Sequence, residues 1–396
     1  MIKKKVVKLP SVKRRSFLTN SVKASVIGAA GATFPHIWMK QGNVFAANNE
    51  IKVGVLFSLT GGLAIIEESL HKATMMAIEE INAAGGVNGM MLKAVEADPA
   101  SDPATFAAKA RTLVIKDKCV TVFGSYTSAS RKAVLPVFEK QNNLYFYPTL
   151  YEGRECSKNV IYTGAVPNQQ QDEFIPYLVE KYGKRWSLIG SNYIYPKEEN
   201  NYCKILLKKL GCEVLMEEYV PLGHSEFSSV VNKFKNDKPN VIFSTVVGDS
   251  VVALHKQYRA AGLNPDNMPM CSLTTSENEV AAMGGDAAAG HLTSAPYFMV
   301  HQSAENEKFV SAYKKRWGAD KVTHFVSEPA YFGVYIFKQA LEKIGAGDIN
   351  PTSIMEACKG QELIAPQGKI RIDPDNLHTY LWPKIGICKS NGQFDI

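Results

Sequence analysis

The chain has no CxxC or other paired metal-ligand spacing, no HExxH, no GxSxG elbow and no GxxxxGK[ST] or GxGxxG loop. Those absences remove, in turn, the local signatures of zinc sites, serine hydrolysis and nucleotide phosphate binding. Seven cysteines, at 119, 156, 203, 212, 271, 358 and 388, are scattered and odd in number, so at least one is unpaired. Cys119, inside a strand-like run, reads as a buried thiol. His71, His224, His255, His291 and His301 fall at no ligand spacing and read as solvated surface residues. Long apolar runs are missing too: none reaches the roughly 20 residues that cross a bilayer, which excludes stable membrane insertion.

Acid is absent from the first 46 positions, which hold nine Lys and Arg; the rest of the chain has 36 basic residues against 38 acidic ones. The formal charge of +7 therefore belongs to the leader, and the body lacks the basic surplus that nucleic-acid binding requires. Within that leader, Lys13-Arg14-Arg15-Ser16-Phe17-Leu18 precedes a weakly apolar run from Ala24 to Phe34 and the small-residue end Val44-Phe45-Ala46. This reads as a twin-arginine signal peptide over residues 1–46, so the expected destination is the periplasm.

A composition of 45% hydrophobic and 21% charged residues is that of a folded soluble protein, and 396 residues are enough for two lobes. From Ile51 the pattern alternates strand and helix: strands at 51–59, 92–96, 120–124 and 144–147, helices at 67–84, 105–116 and 128–140. It restarts with a helix at 174–182, strands at 186–190, 214–219 and 241–247, and helices within 193–210, 227–236 and 251–261. The fold class is α/β, with parallel sheets covered by helices on both faces. Val166-Pro167 and Ala295-Pro296 are the expected crossings between lobes.

In such sheets ligands bind beyond the carboxyl ends of the strands. That filter collects Ser58 to Gly62, Gly124 to Ser128, Pro148 to Tyr151, Ser191 to Tyr195 and Val247 to Asp249, a set rich in hydroxyls and phenols. Tyr126 and Ser128 stand before a helix whose first amides are free, although Thr127 or Ser128 equally suits a cap. Tyr145 and Tyr147 have the core as their ordinary place, while Thr149 after Pro148 ends its strand toward a cleft. Tyr193 and Tyr195, two apart, would share a direction if extended. Asp98, Asp102 and Glu152 read as caps or surface charges, and Asp249 and Glu277 near strand ends leave room for a cationic ligand such as guanidine.

A set of runs in fixed order resembles the type I periplasmic solute-binding proteins of the leucine-binding superfamily, in the branch for urea and short-chain amides. They are SLTG at Ser58, SRKAVLPVFE at Ser130, YPTLYEG at Tyr147, PNQQ at Pro167, GSNYIYPKE at Gly190, FSTVVG at Phe243, SLTTSENEV at Ser272 and APQG at Ala365. The resemblance implies two Rossmann-like lobes joined by three hinge crossings, one from 50–165 and 297–378, the other from 166–296 and 379–396. It implies no enzyme activity and no cofactor or metal; the partners are an ABC transporter permease and a small neutral ligand, urea or a short amide. By position its pocket residues are Tyr126, Ser128, Tyr147, Thr149, Tyr193, Tyr195, Val247 and Glu277. Leu150 and Tyr126 depart from the amide-sensor and urea-receptor patterns respectively, and both bear on pocket size. An amide-responsive sensor regulating by contact with a partner is the alternative.

Overall fold

The computed structural model describes residues 49–345 and 347–396; the expected signal peptide lies outside them. A first parallel sheet has the order β2-β1-β3-β4-β5, with β1 Glu50–Leu56, β2 Met91–Ala97, β3 Thr121–Gly124, β4 Leu144–Tyr147 and β5 Val160–Tyr162. The helices α1 Ala64–Ala83, α2 Pro103–Arg111 and α3 Ser128–Gln141 connect its strands. A helix expected over 105–116 is α-helical only to Arg111; one π turn, Thr112–Lys116, finishes it.

After β5 the chain leaves this sheet through α4 Pro167–Gln171 and α5 Phe174–Tyr182. The second sheet has the order β15-β14-β10-β9-β8-β6-β7. Its parallel part is β6 Arg185–Ser191, β7 Glu213–Val220, β8 Val241–Thr245, β9 Met270–Ser272 and β10 Leu292–Ala295. Between these strands run α6 Ile194–Lys209, α7 Ser228–Asp237, α8 Asp249–Ala260, α9 Glu277–Met283 and α10 Gly285–Ala288.

Beyond β10 the chain returns to the first lobe as α11 Ala304–Trp317, α12 Ser327–Ile344 and α13 Pro351–Cys358, where α12 packs on α1 and β3. A small antiparallel sheet follows: β11 Glu362–Ala365, β12 Gly368–Ile372 and β13 Thr379–Tyr380. The third crossing then delivers β14 Lys384–Cys388 and β15 Phe394–Asp395 to the second sheet, both antiparallel to their neighbours. The observed architecture is thus two α/β lobes joined by three crossings.

Central strands read as buried apolar runs because helices cover both faces: every residue of β3, β4 and β8 is buried. Backbone packing brings strand ends close. A Cβ on Gly124 would lie 2.5 Å from the Leu56 carbonyl oxygen, and one on Gly164 would lie 2.1 Å from Thr149 backbone atoms. The turn before α3 and the end of β4 are thereby held against their neighbours, which fixes the residues that follow them. All seven cysteines are free thiols, and Cys119 is buried as expected. No described helix is long and apolar enough to cross a membrane.

Candidate functional site

The lobes meet where the strand ends of both sheets converge. A Cβ on Gly248, in the turn between β8 and α8, would stand 3.0 Å from the Gly62 carbonyl oxygen of the first lobe. Asn278, in the first turn of α9, donates through Nδ2 to the Ile65 carbonyl oxygen at 3.2 Å and lies 3.1 Å from Nε2 of His324. His324 Nε2 in turn meets Ser69 Oγ of α1 at 2.5 Å. These contacts join the two lobes across the cleft.

The expected site residues divide once their partners are known. Thr127, and not Ser128, caps α3, accepting from the Ser130 amide at 3.1 Å. Ser128 Oγ donates to Glu152 Oε2 at 2.5 Å and accepts from Arg131 Nη1 at 2.8 Å. The Tyr147 hydroxyl donates to the Tyr126 carbonyl oxygen at 2.7 Å, and Thr149 Oγ1 donates to the Ser125 carbonyl oxygen at 3.2 Å. The polar atoms of Ser128, Tyr147 and Thr149 are therefore already paired inside the first lobe. Val247 likewise uses its amide on Ser191 Oγ at 3.2 Å.

Three phenols remain. Tyr126, 4% exposed, makes no side-chain hydrogen bond among the described residues, and the Tyr195 hydroxyl is buried without a partner. Tyr193 is the N-cap position of α6 and Tyr195 its second residue, so they are not two positions of one extended segment; their rings nonetheless lie 6.2 Å apart. Burial raises the phenols of Tyr193 and Tyr195 well above their ordinary range, with the Tyr126 phenol of the first lobe among the neighbours that add to it.

Around them the expectation of an uncharged lining needs correction. Glu67, on α1, accepts from the Ser58 amide through Oε2 at 2.6 Å and leaves Oε1 unpartnered. Glu279, on α9 of the other lobe, spends Oε2 on the Ser276 amide and hydroxyl in a capping box, and its Oε1 is also unpartnered. Both side chains are fully buried, and both act on the Tyr126 phenol. Burial raises Glu67 to about 8 and Glu279 to about 7, with Asp98 and Asp249 respectively pushing the same way. Neither has a cation to meet it, so the proton itself supplies neutrality. Glu277 is less central than expected: Oε1 accepts from the Met299 amide at 2.7 Å beyond β10, and burial holds this carboxyl at about 8.

Sequence reasoning missed Glu67 and Glu279 because each looks like an ordinary helix carboxylate; only the tertiary position makes it a buried one. Other polar residues were also misplaced. Glu152 is 6% exposed and pairs with Arg131, while His255 and His291 are buried side by side with rings 4.8 Å apart. Asp102 does cap α2, as expected. No group of metal-ligating side chains occurs among the described residues.

The periplasmic binding protein domain model matches residues 51–396. The chain belongs to this family. Its relatives include the leucine-, isoleucine-, valine-, threonine- and alanine-binding protein of Pseudomonas aeruginosa, 26% identical over 331 residues, which cover 83% of this chain and 87% of that one. The Leu/Ile/Val-binding protein homolog 6 of Brucella suis is 26% identical over 334 residues, 83% and 85% of the two chains. Among solved structures, the ABC transporter solute-binding protein of Rhodopseudomonas palustris BisB5 in complex with 3,4-dihydroxybenzoic acid superposes with a TM-score of 0.79 at 24% identity, covering 88% and 95%. LivJ of Streptococcus pneumoniae in complex with isoleucine gives 0.78 at 22%, covering 88% and 98%. These are binding proteins of the same two-lobed fold, and this family member is a binding protein and not an enzyme.

The raised carboxyls give this binding protein an expected pH response. A group whose pKa is higher in the folded than in the unfolded chain stabilises the fold at low pH and loses that contribution as pH climbs. For Glu67, Glu277 and Glu279 the loss runs from about 4.5 to about 7 or 8. Denaturant stability of the ligand-free protein should therefore fall between about pH 4.5 and pH 8, with each such carboxyl contributing up to ~1.4 kcal/mol per pH unit. Glu279→Gln should flatten the slope by that amount; an unchanged slope would show that its carboxyl is not buried.

Proposed function

We propose that this chain captures urea or a short-chain aliphatic amide in the periplasm and delivers it to an ABC transporter permease. The observation that carries the ligand class is the balance of unspent hydrogen-bonding groups in the gap. Side-chain donors suited to a carboxylate are consumed: Ser128, Thr149 and Tyr147 are paired internally, and the Arg131 guanidinium is taken by Glu152 and Glu155. The side-chain groups left there are the Tyr126, Tyr193 and Tyr195 phenols, of which the Tyr195 hydroxyl is buried without a partner, and a free oxygen on each of Glu67 and Glu279. With Oε2 of each carboxyl spent as an acceptor, the proton of the neutral form sits on the free Oε1, which can donate to an amide carbonyl oxygen while the phenol oxygens accept from its N–H groups. Leucine or a benzoate would bring a carboxylate into a gap that already holds acids, a steep desolvation cost.

A guanidinium-type cation is the second reading, favoured by the same two oxygens if they ionise on binding. Calorimetric titration with urea, formamide, acetamide, guanidinium, leucine and 3,4-dihydroxybenzoate tests both. Urea or a short amide should saturate the protein, while leucine and the benzoate should not. Tight leucine binding with no amide response would overturn the reading.

A further inference from the structure

On the hinge side of the molecule lies a cavity of about 780 Å³ that the ligand gap does not use. Its walls come from the loop after β4, from α4 and α6 of the second lobe, and from the third crossing. That volume falls in the range of small-molecule sites, roughly 300–1,000 Å³. None of Tyr126, Tyr193, Tyr195, Glu67 and Glu279 lines it.

Two features of its lining ask for an occupant. Trp382, between β13 and β14, is 70% exposed and Tyr380 is 47% exposed, although a crossing segment gains nothing for the fold from wet aromatic rings. Carboxylates also outnumber cations there. Glu152 and Glu155 are met by Arg131 and Lys132, but Glu173 has no ion pair among the described residues. Glu198 has only the 75%-exposed Arg154 at 3.8 Å, and Asp373 accepts from the Tyr380 hydroxyl at 2.6 Å. His378, stacked on Tyr162 and held below its ordinary range by burial, adds no positive charge near neutrality.

We propose that this hinge cavity is a second ligand site, for a small organic cation with an apolar body. Its ammonium group would sit among Glu173, Glu198 and Asp373 and its body on the Trp382 face, a combination of ion pairing and cation–π attraction. Both lobes wall the cavity, so the site is completed by the arrangement of the lobes described above.

Phenethylammonium, with neutral 2-phenylethanol and anionic phenylacetate of similar shape, probes the mature chain by calorimetry. Phenethylammonium should bind saturably below about 10 mM and at least tenfold more tightly than either analogue. Trp382→Ala and the double variant Glu198→Gln, Asp373→Asn should each weaken it by about tenfold, and Glu279→Ala in the ligand gap should leave it unchanged. Absence of saturation, equal binding of 2-phenylethanol, indifference to both cavity variants, or loss of binding in Glu279→Ala would each overturn the proposal. The last outcome would place the cation in the gap, whereas failure of the urea and amide reading would leave the cavity titration as it stands.

Discussion

Arg131→Met should destabilise the protein by about 3–5 kcal/mol, the ordinary cost of breaking a buried ion pair from one side. The guanidinium is fully buried. It gives Nη2 to Glu152 Oε1 at 2.8 Å, Nε to Glu155 Oε1 at 2.9 Å and Nη1 to Ser128 Oγ at 2.8 Å, while its centre lies 4.2 Å from the Tyr151 ring and 5.0 Å from the Tyr147 ring. Methionine keeps much of the packing but strands two carboxylates, 5% and 11% exposed, with Lys132 as their remaining cation at 3.8 and 3.3 Å. The triple variant Arg131→Met, Glu152→Gln, Glu155→Gln should recover most of the loss, because removing a whole buried network costs less than halving it. Denaturant titration of the three proteins decides the matter: a single variant within 1 kcal/mol of the parent, roughly the value of an exposed pair, would show that Arg131 is solvated.

The second large effect has opposite signs in binding and stability. Glu279→Ala should weaken urea or acetamide binding by about 10- to 100-fold, ~1.4–2.8 kcal/mol, since the ligand loses the carboxyl that meets it from the second lobe. At pH 8 the same variant should be more stable than the parent in the absence of ligand, because a buried carboxyl with an unpartnered oxygen has been removed. Glu67→Ala should behave alike from the first lobe. Loss of both binding and stability would instead mark Glu279 as a fold residue that closes its capping box with Ser276 and nothing more.

Much of the frame was legible in the sequence. β4 and α5 fall at the expected residues and most second-lobe elements within one or two of them, because the buried parallel strands and amphipathic helices carry strong patterns, while β1 ends three residues early, α1 starts three residues early and α2 ends at Arg111. In the aromatic stretch from Asn143 to Gly153, Tyr145 is core as expected and donates to the Gly124 carbonyl oxygen at 2.8 Å, while Tyr147, expected by resemblance in the pocket, spends its hydroxyl on the Tyr126 carbonyl. The short strands were not readable this way, since β9, β13 and β15 have two or three residues each and too little length for a period.

For the proposed site, position relative to strand ends gathers Tyr126, Tyr193 and Tyr195 together with Ser128 and Thr149, whose hydroxyls serve the lobe itself. No local pattern distinguishes a hydroxyl paired inside from one left free. The same limit hid Glu67 and Glu279, which become partners of the gap only when α1 and α9 face each other across it.

Proton exchange on ligand binding tests the central claim most directly. Titrating acetamide into the protein at pH 8 in two buffers of different ionisation enthalpy gives the number of protons taken up per ligand. A gap that offers protonated Glu67 and Glu279 to a neutral amide should take up a substantial fraction of a proton, and Glu67→Gln should reduce it. Saturable acetamide binding with no proton uptake at pH 8, unaffected by Glu67→Gln, would contradict the account.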